Sequence, residues 1–137
     1  MLRSDFYIAS EHHSSALHAI KRLDPREFIT HQWNTHFAFV PQESVQIAET
    51  LADALGAWRW SSEVDEEGNI VEIGFEGEKL GHDYILFEAI APFVREGSSI
   101  QIAGEDGRIW RWFFSEGGLQ EHEGEVIFRS VSGSSRG

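Results

Sequence analysis

The clearest pattern in the chain is an alternation that begins at position 108 and reads Arg-Ile-Trp-Arg-Trp-Phe-Phe. Successive side chains of an extended strand point to opposite faces, so Trp110, Trp112 and Phe114 share one face. The opposite face carries Ile109, Arg111 and Phe113. Because neither face is fully polar, the pattern is typical of a strand inside a sheet rather than at its edge. It predicts a central strand with an aromatic face in the core.

A shorter segment, Trp58-Arg59-Trp60, alternates in the same way earlier in the chain. We expect the two segments to be strands of one antiparallel sheet whose aromatic face receives the helices. Arg59 and Arg111 would then point away from that face. They could bind an anionic ligand, but an arginine on a strand more often pairs with a neighbouring glutamate, here Glu63 or Glu72.

Helical spacing of apolar residues predicts three helices. The first follows an N-cap at Ser10 and buries Ala16, Leu17, Ile20 and Leu23. The second follows an N-cap at Ser44, ends at Gly56 and buries Ile47, Ala48, Leu51, Ala54 and Leu55. The third begins near Asp83, ends near Ala91 because of Pro92, and buries Leu86, Ala89, Ile90, Phe93 and Val94.

The remaining apolar runs predict strands. The expected strands cover residues 5–9, 36–40, 58–64, 70–76, 98–103 and 108–114, with a last strand that ends at 126–128. In the strand 70–76, Val71, Ile73 and Phe75 should face the core. The order β-α-β-α-β-β-α-β-β-β indicates an α+β fold, in which an antiparallel sheet has about three helices packed on one face. We expect a single domain over residues 1–129 and a flexible tail over 130–137.

Composition excludes several classes of protein. The 137 residues include no cysteine, which rules out disulfides, Cys-ligated zinc, iron–sulfur clusters and thiol nucleophiles. The N-terminal residues lack an apolar signal-peptide core, and no run of about 18 apolar residues exists to cross a bilayer. These features favour a cytoplasmic protein that makes no contact with a membrane.

No catalytic or metal-binding motif stands out. The seven histidines lack the spacing of a recognised metal site. Glu72 and Glu76 would lie about 13 Å apart along a strand, too far for a two-carboxylate hydrolase. There is no Gly-x-Ser-x-Gly segment and no phosphate-binding loop. The sequence therefore predicts a protein that is not an enzyme and that has no cofactor or bound metal.

Net charge indicates the kind of partner. The chain has 23 acidic and 11 basic residues, for a net charge of −12. Such a charge disfavours direct binding to nucleic acid or to an anionic membrane, and it attracts a basic protein. The alternative is that the acidity serves only solubility.

The acidic residues are concentrated between Glu63 and Glu88, where nine carboxylates accompany a single cation, Lys79. A cluster so uneven on one hairpin and the start of one helix predicts a contiguous negative patch. The candidate partner-binding residues are Glu63, Asp65, Glu66, Glu67, Glu72, Glu76, Glu78 and Asp83.

The leading hypothesis is a small inhibitor that covers a basic, nucleic-acid-binding surface of a partner protein. It would act in the manner of immunity proteins against nuclease toxins, or of phage proteins that block nucleic-acid-binding machinery such as CRISPR components. The likeness is one of character, because no motif identifies either family. The alternative is a small-molecule-binding or regulatory domain that uses the tryptophan-rich sheet face. A strand edge at 126–128 would also allow pairing with a second copy in a homodimer.

Overall fold

The computed structural model describes residues 2–23, 42–77, 83–104 and 107–125. These residues form an α+β fold, which confirms the predicted class. The six described strands are β1 (Leu2–Asp5), β2 (Trp60–Val64), β3 (Ile70–Phe75), β4 (Ser99–Ala103), β5 (Arg108–Ser115) and β6 (Gly118–Glu125). The four described α-helices are α1 (His13–Lys21), α2 (Gln42–Ile47), α3 (Leu51–Ala57) and α4 (Asp83–Ile90). Short 3-10 segments precede α1 (Ser10–His12) and follow α4 (Ala91–Phe93).

The described strands form two antiparallel sheets rather than one. The larger sheet has the order β1-β4-β5-β6, and β2 pairs only with β3. The expectation of one shared sheet was therefore wrong. The sheets meet where Ile8 and Ile70 exchange backbone hydrogen bonds of 3.0 Å and where the Ser4 hydroxyl donates to the Ile73 carbonyl at 3.1 Å.

Both tryptophan segments nevertheless contribute to one core, and Phe87 of α4 joins them. Its ring packs edge-on against Trp60 at 4.8 Å between centroids and lies 5.6 Å from the tilted ring of Trp112. Phe6 closes the cluster with edge contacts to Phe87 and Phe114. Aromatic pairs in this distance range add about 0.5–1.5 kcal/mol each beyond the area they bury.

The central strand β5 matches its prediction. Trp112 and Phe114 are buried, and Trp110 is half-buried on the same face. β5 pairs along its length with β6, and five of its residues pair with β4. The buried Ile100 of β4 lies opposite Trp112. Alternation therefore predicted both the position and the facing of this strand.

The N-terminal strand lies earlier than predicted. β1 ends at Asp5, and the run from Phe6 to Ile8 leaves the ladder so that Phe6 and Ile8 can enter the core. Ser10 does not cap α1. Its backbone N–H instead donates to the side-chain oxygen of Asn69 at 2.8 Å, which ties this segment to the β2–β3 hairpin.

The predicted second helix is two helices. The Thr50 hydroxyl accepts a hydrogen bond from the Asp53 backbone N–H at 3.1 Å and starts α3 anew. Ser44 lies inside α2 instead of capping it. Because of the break, the buried side of α2 is not in line with the buried side of α3. Val45 is therefore buried, while Ile47 is 76% exposed.

Trp58 and Arg59 are not in a strand. The Trp58 backbone N–H donates to carbonyls of the last turn of α3, and Arg59 has a positive φ of 71°. The chain turns at Arg59 and enters β2 at Trp60. Trp58 and Trp60 are both buried, although only Trp60 lies in a strand. Their spacing in the sequence arises because one packs into the core at the end of α3 and the other at the start of β2.

α4 ends as predicted, because it tightens into the 3-10 segment at Ala91. Leu86, Ile90 and Val94 are buried, but the burial of Phe87, whose ring contacts Phe6, Trp60, Trp112 and Phe114, was not anticipated. The predicted strand at 36–40, the end of the last strand at 126–128 and the tail at 130–137 lie outside the described residues. None of the described helices is long and apolar enough to cross a membrane.

Candidate functional site

The turn of the β2–β3 hairpin is built around the carboxylate of Asp65. One oxygen accepts the backbone N–H groups of Glu67 at 3.0 Å and Asn69 at 2.9 Å, and the other accepts the Asn69 side-chain amide at 3.0 Å. Gly68 provides the positive φ, 86°, that the turn requires. These hydrogen bonds, above all those from Asn69, lower the pKa of Asp65 from its usual value of 3.8.

A bulge sets which residues of the hairpin face outward. Glu63 lies opposite Glu72, but the next pair along the ladder is Val64 with Ile70, so Val71 is an extra residue in β3. Ile70 and Ile73 both point into the core. The prediction that Val71 faces the core was wrong, because the bulge leaves it 40% exposed.

Four glutamates of this hairpin are exposed, and so is Glu76, the residue that follows β3. We call them the acidic ribbon: Glu63, Glu66, Glu67, Glu72 and Glu76. None of the five makes an ion pair with a cation among the described residues. Glu63 and Glu72 are direct cross-strand neighbours, an arrangement that destabilises a sheet when both are charged.

The other three predicted partner-binding residues do not extend the ribbon. Asp65 uses its carboxylate inside the turn. Asp83 was wrongly placed on the surface, because it is only 1% exposed and accepts a hydrogen bond from the Trp60 indole N–H at 2.9 Å. The buried indole N–H needs an acceptor, which explains a carboxylate at this position. Glu78 lies outside the described residues.

The predicted pairing of Arg59 with Glu63 or Glu72 is not made. The guanidinium of Arg59 lies over the Phe75 ring, 5.4 Å from its centroid, and packs beside Gly77. A side chain at Gly77 would approach the Phe75 ring to 2.6 Å, so this close packing requires glycine. In the other sheet, Arg111 donates to the His122 ring at 3.4 Å.

A cleft of about 470 Å³ lies between the two sheets beside the ribbon. Glu72 and Glu76 line one side, and Arg3 of β1 lines the other. Arg3 is the cation that shares this cleft with the ribbon, yet it makes no ion pair with either glutamate within 4.0 Å. The ribbon therefore keeps its charge exposed along this edge as well.

Three of the four described tryptophans are packed in the core, and Trp110 is half-buried. Trp58, Trp60 and Trp112 are at most 6% exposed, and none of these three lines the cleft beside the ribbon. Among the described residues, no cluster of three histidine or carboxylate side chains could hold a metal ion.

Sequence reasoning located the hairpin and most of the ribbon from the density of carboxylates. It missed the bulge and the Trp60–Asp83 pair, and neither feature has a local signal in the sequence. No protein-family model matches this chain, and no curated protein or solved structure is significantly similar to it.

Proposed function

We propose that this protein is a non-enzymatic inhibitor whose acidic ribbon covers a basic, nucleic-acid-binding surface of a partner protein. The observation that supports the proposal is the exposure of five glutamates with no cation paired to any of them among the described residues. Two of these, Glu63 and Glu72, face each other across the strands. Repulsion of this kind has a cost that a cationic partner would remove.

The shape of the ribbon fits such a role. The five carboxylates lie on one β-hairpin and the residue that follows it, with Glu63 opposite Glu72, and in the proposed complex they act as a row of negative charges comparable to the phosphates of a nucleic-acid backbone. The Asp65 turn and the bulge hold that row in one conformation, so less conformational entropy is lost on binding. Long-range attraction between the ribbon and a basic groove accelerates association and makes it dependent on salt. The absence of cysteine suits a reducing cytoplasm as the place of action.

Two charge variants test the proposal. In the ribbon variant, Glu63, Glu66, Glu67 and Glu72 become Gln. In the matched control, the exposed residues Glu11, Glu43 and Glu49 become Gln and Asp53 becomes Asn. Each variant removes four negative charges and moves the net charge from −12 to −8.

The measurement is displacement of labelled nucleic acid from a basic protein captured on the immobilised wild type at low salt. Wild type and control should displace the nucleic acid at similar concentrations, and the ribbon variant should require at least about tenfold more, because each lost charge pair contributes to affinity. A ternary complex of inhibitor, partner and nucleic acid would contradict the proposal. Equal displacement by the ribbon variant and the control would contradict it as well.

A further inference from the structure

A small pocket of about 250 Å³ lies beside the 3-10 segment that follows α4. Its walls are largely apolar, and three of its lining residues have polar side chains. The lining residues are Tyr7, Ala9, His12, Pro92, Phe93, Val94 and Arg95. None of them belongs to the acidic ribbon, so a ligand bound here would be independent of the function proposed above.

Arg95 is held in a defined position at this pocket. Its guanidinium carbon lies 3.7 Å from the centroid of the Tyr7 ring, and its backbone N–H donates to the Tyr7 carbonyl at 2.8 Å. Stacking uses the face of the guanidinium and leaves the N–H donors at its edge available. Arg95 makes no ion pair with a carboxylate of the described residues. The charge of Arg95 is therefore not offset by a carboxylate of the described residues.

The walls of the pocket are also fixed by backbone hydrogen bonds. The Val94 N–H donates to Ala91 at 3.2 Å, and the His12 N–H donates to Ala9 at 2.9 Å. The His12 ring lies 6.5 Å from the Phe93 ring between centroids. A pocket that exists before its ligand arrives loses less conformational entropy on binding.

We propose that this pocket binds an organic monocarboxylate with a small aromatic or branched aliphatic body. The carboxylate would accept two parallel hydrogen bonds from Arg95, the geometry that a guanidinium offers best. The apolar body would pack against Pro92 and Phe93. A phosphate dianion is disfavoured, because one arginine must offset two charges against the field of an acidic protein and the walls offer an apolar surface. The volume limits the ligand to a small molecule or to one terminal residue of a chain.

A free acid and the C-terminal carboxylate of a protein share this chemistry, and the experiment separates them. Chemical shifts of the ¹⁵N-labelled full-length protein are followed during titration with benzoate, with benzamide, and with a tetrapeptide ending in Phe as free acid or amide. Saturable shifts confined to residues around Arg95 are expected with benzoate and, if the natural ligand is a chain terminus, more strongly with the free-acid peptide. Benzamide and the amidated peptide should bind at least about tenfold more weakly, since they lack the charge-assisted hydrogen bonds.

Three variants and a control complete the test. Arg95→Gln should weaken benzoate binding by about tenfold or more. Arg95→Lys should weaken it less, since lysine keeps the charge but cannot donate two parallel hydrogen bonds to the carboxylate. Ala9→Leu keeps every charge and fills the pocket, so it should also abolish binding. The control, Arg3→Gln, removes an exposed arginine elsewhere and should have no effect. Dispersed spectra establish that each variant is folded, and Arg95→Lys remains informative if Arg95→Gln is not.

Several results would overturn the proposal. Equal affinity for benzoate and benzamide would show that Arg95 does not select a carboxylate. Unchanged affinity in a folded Arg95→Gln or Ala9→Leu variant would place the binding elsewhere. An absence of saturable shifts with both benzoate and the free-acid peptide would show that the pocket binds neither form of the ligand.

Discussion

The cross-strand pair of Glu63 and Glu72 allows a direct test of whether the acidic ribbon is kept at a cost to stability. Residues directly opposite in an antiparallel pair have Cβ atoms about 4.5–5.5 Å apart. Two carboxylates about 6 Å apart in water repel each other by about 0.7 kcal/mol before screening by salt. Replacing Glu72 by Lys changes that repulsion into an attraction of similar size.

The expected gain depends on ionic strength. At about 0.01 M salt the screening length is about 30 Å, and Glu72→Lys should raise the free energy of unfolding by about 1 kcal/mol. At about 1 M salt the screening length falls to about 3 Å, and the gain should fall to about 0.2 kcal/mol. Urea unfolding followed by tryptophan fluorescence measures the difference, because urea leaves the ionic strength unchanged. With a slope of about 2 kcal/mol/M, the midpoint should rise by about 0.5 M urea at low salt.

A control separates the local pair from the net charge. Glu43→Lys makes the same change of charge on an exposed helical residue outside the hairpin. It should stabilise the protein less than Glu72→Lys does, and Glu72→Gln should give about half the gain of Glu72→Lys. Equal gains for Glu43→Lys and Glu72→Lys, or a gain that persists at high salt, would refute a local repulsion between Glu63 and Glu72.

Three further predictions concern the fold around the ribbon. Trp60→Phe removes the indole donor to the buried Asp83, so the free energy of unfolding should fall by about 2 kcal/mol in urea titrations followed by circular dichroism. Val45→Ala should lower that free energy by about 2 kcal/mol, whereas Ile47→Ala should change it by less than about 0.5 kcal/mol in the same assay. A larger loss for Ile47→Ala than for Val45→Ala would contradict the break between α2 and α3 and favour one continuous helix. The pKa of Asp65 is lowered in the folded state, so its carboxylate stabilises the hairpin above its usual pKa of 3.8, and this stability is lost as the pH falls through the lower folded value. The advantage of the wild type over Asp65→Asn in unfolding experiments should therefore be present at neutral pH and shrink below pH 3.8; an advantage that is independent of pH would contradict this reasoning.

Alternation was a reliable guide where strands are regular and a poor one where they are not. β4 and β5 follow strict alternation, and their buried faces were predicted correctly from Ile100, Trp112 and Phe114. In β3 the extra residue Val71 shifts the alternation, so that Ile70 faces the core together with Ile73. The amino-acid composition of a strand does not show where such a bulge will form. The error at Val71 follows from that single inserted residue.

The helix error had a signal that a longer pattern obscured. Thr50 followed three residues later by Asp53 is a combination suited to the start of a helix. The apolar stripe from Ile47 to Leu55 is regular enough to suggest one continuous helix, so the internal cap was overlooked. The exposure of Ile47 shows that the local hydrogen bond prevailed over the periodicity.

Some contacts cannot be predicted from local sequence at all. Asp83 resembled the other carboxylates of its region, and its burial depends on an indole that reaches it from β2. The stacking of Arg95 on Tyr7 joins positions far apart in the chain and appears only in the folded protein. Local pattern predicted the acidic hairpin because charge density is a local property, whereas the chemistry of the pocket depends on tertiary contacts.

The most direct test of the proposed inhibitor function is the salt dependence of binding between this protein and a basic protein captured on the immobilised wild type. The dissociation constant of the wild type should rise steeply between low and high salt, and the control with four charges removed elsewhere should retain most of that slope. Neutralising Glu63, Glu66, Glu67 and Glu72 should weaken binding at low salt and flatten the dependence. A ribbon variant that keeps the affinity and salt slope of the wild type would show that the ribbon is not the binding surface.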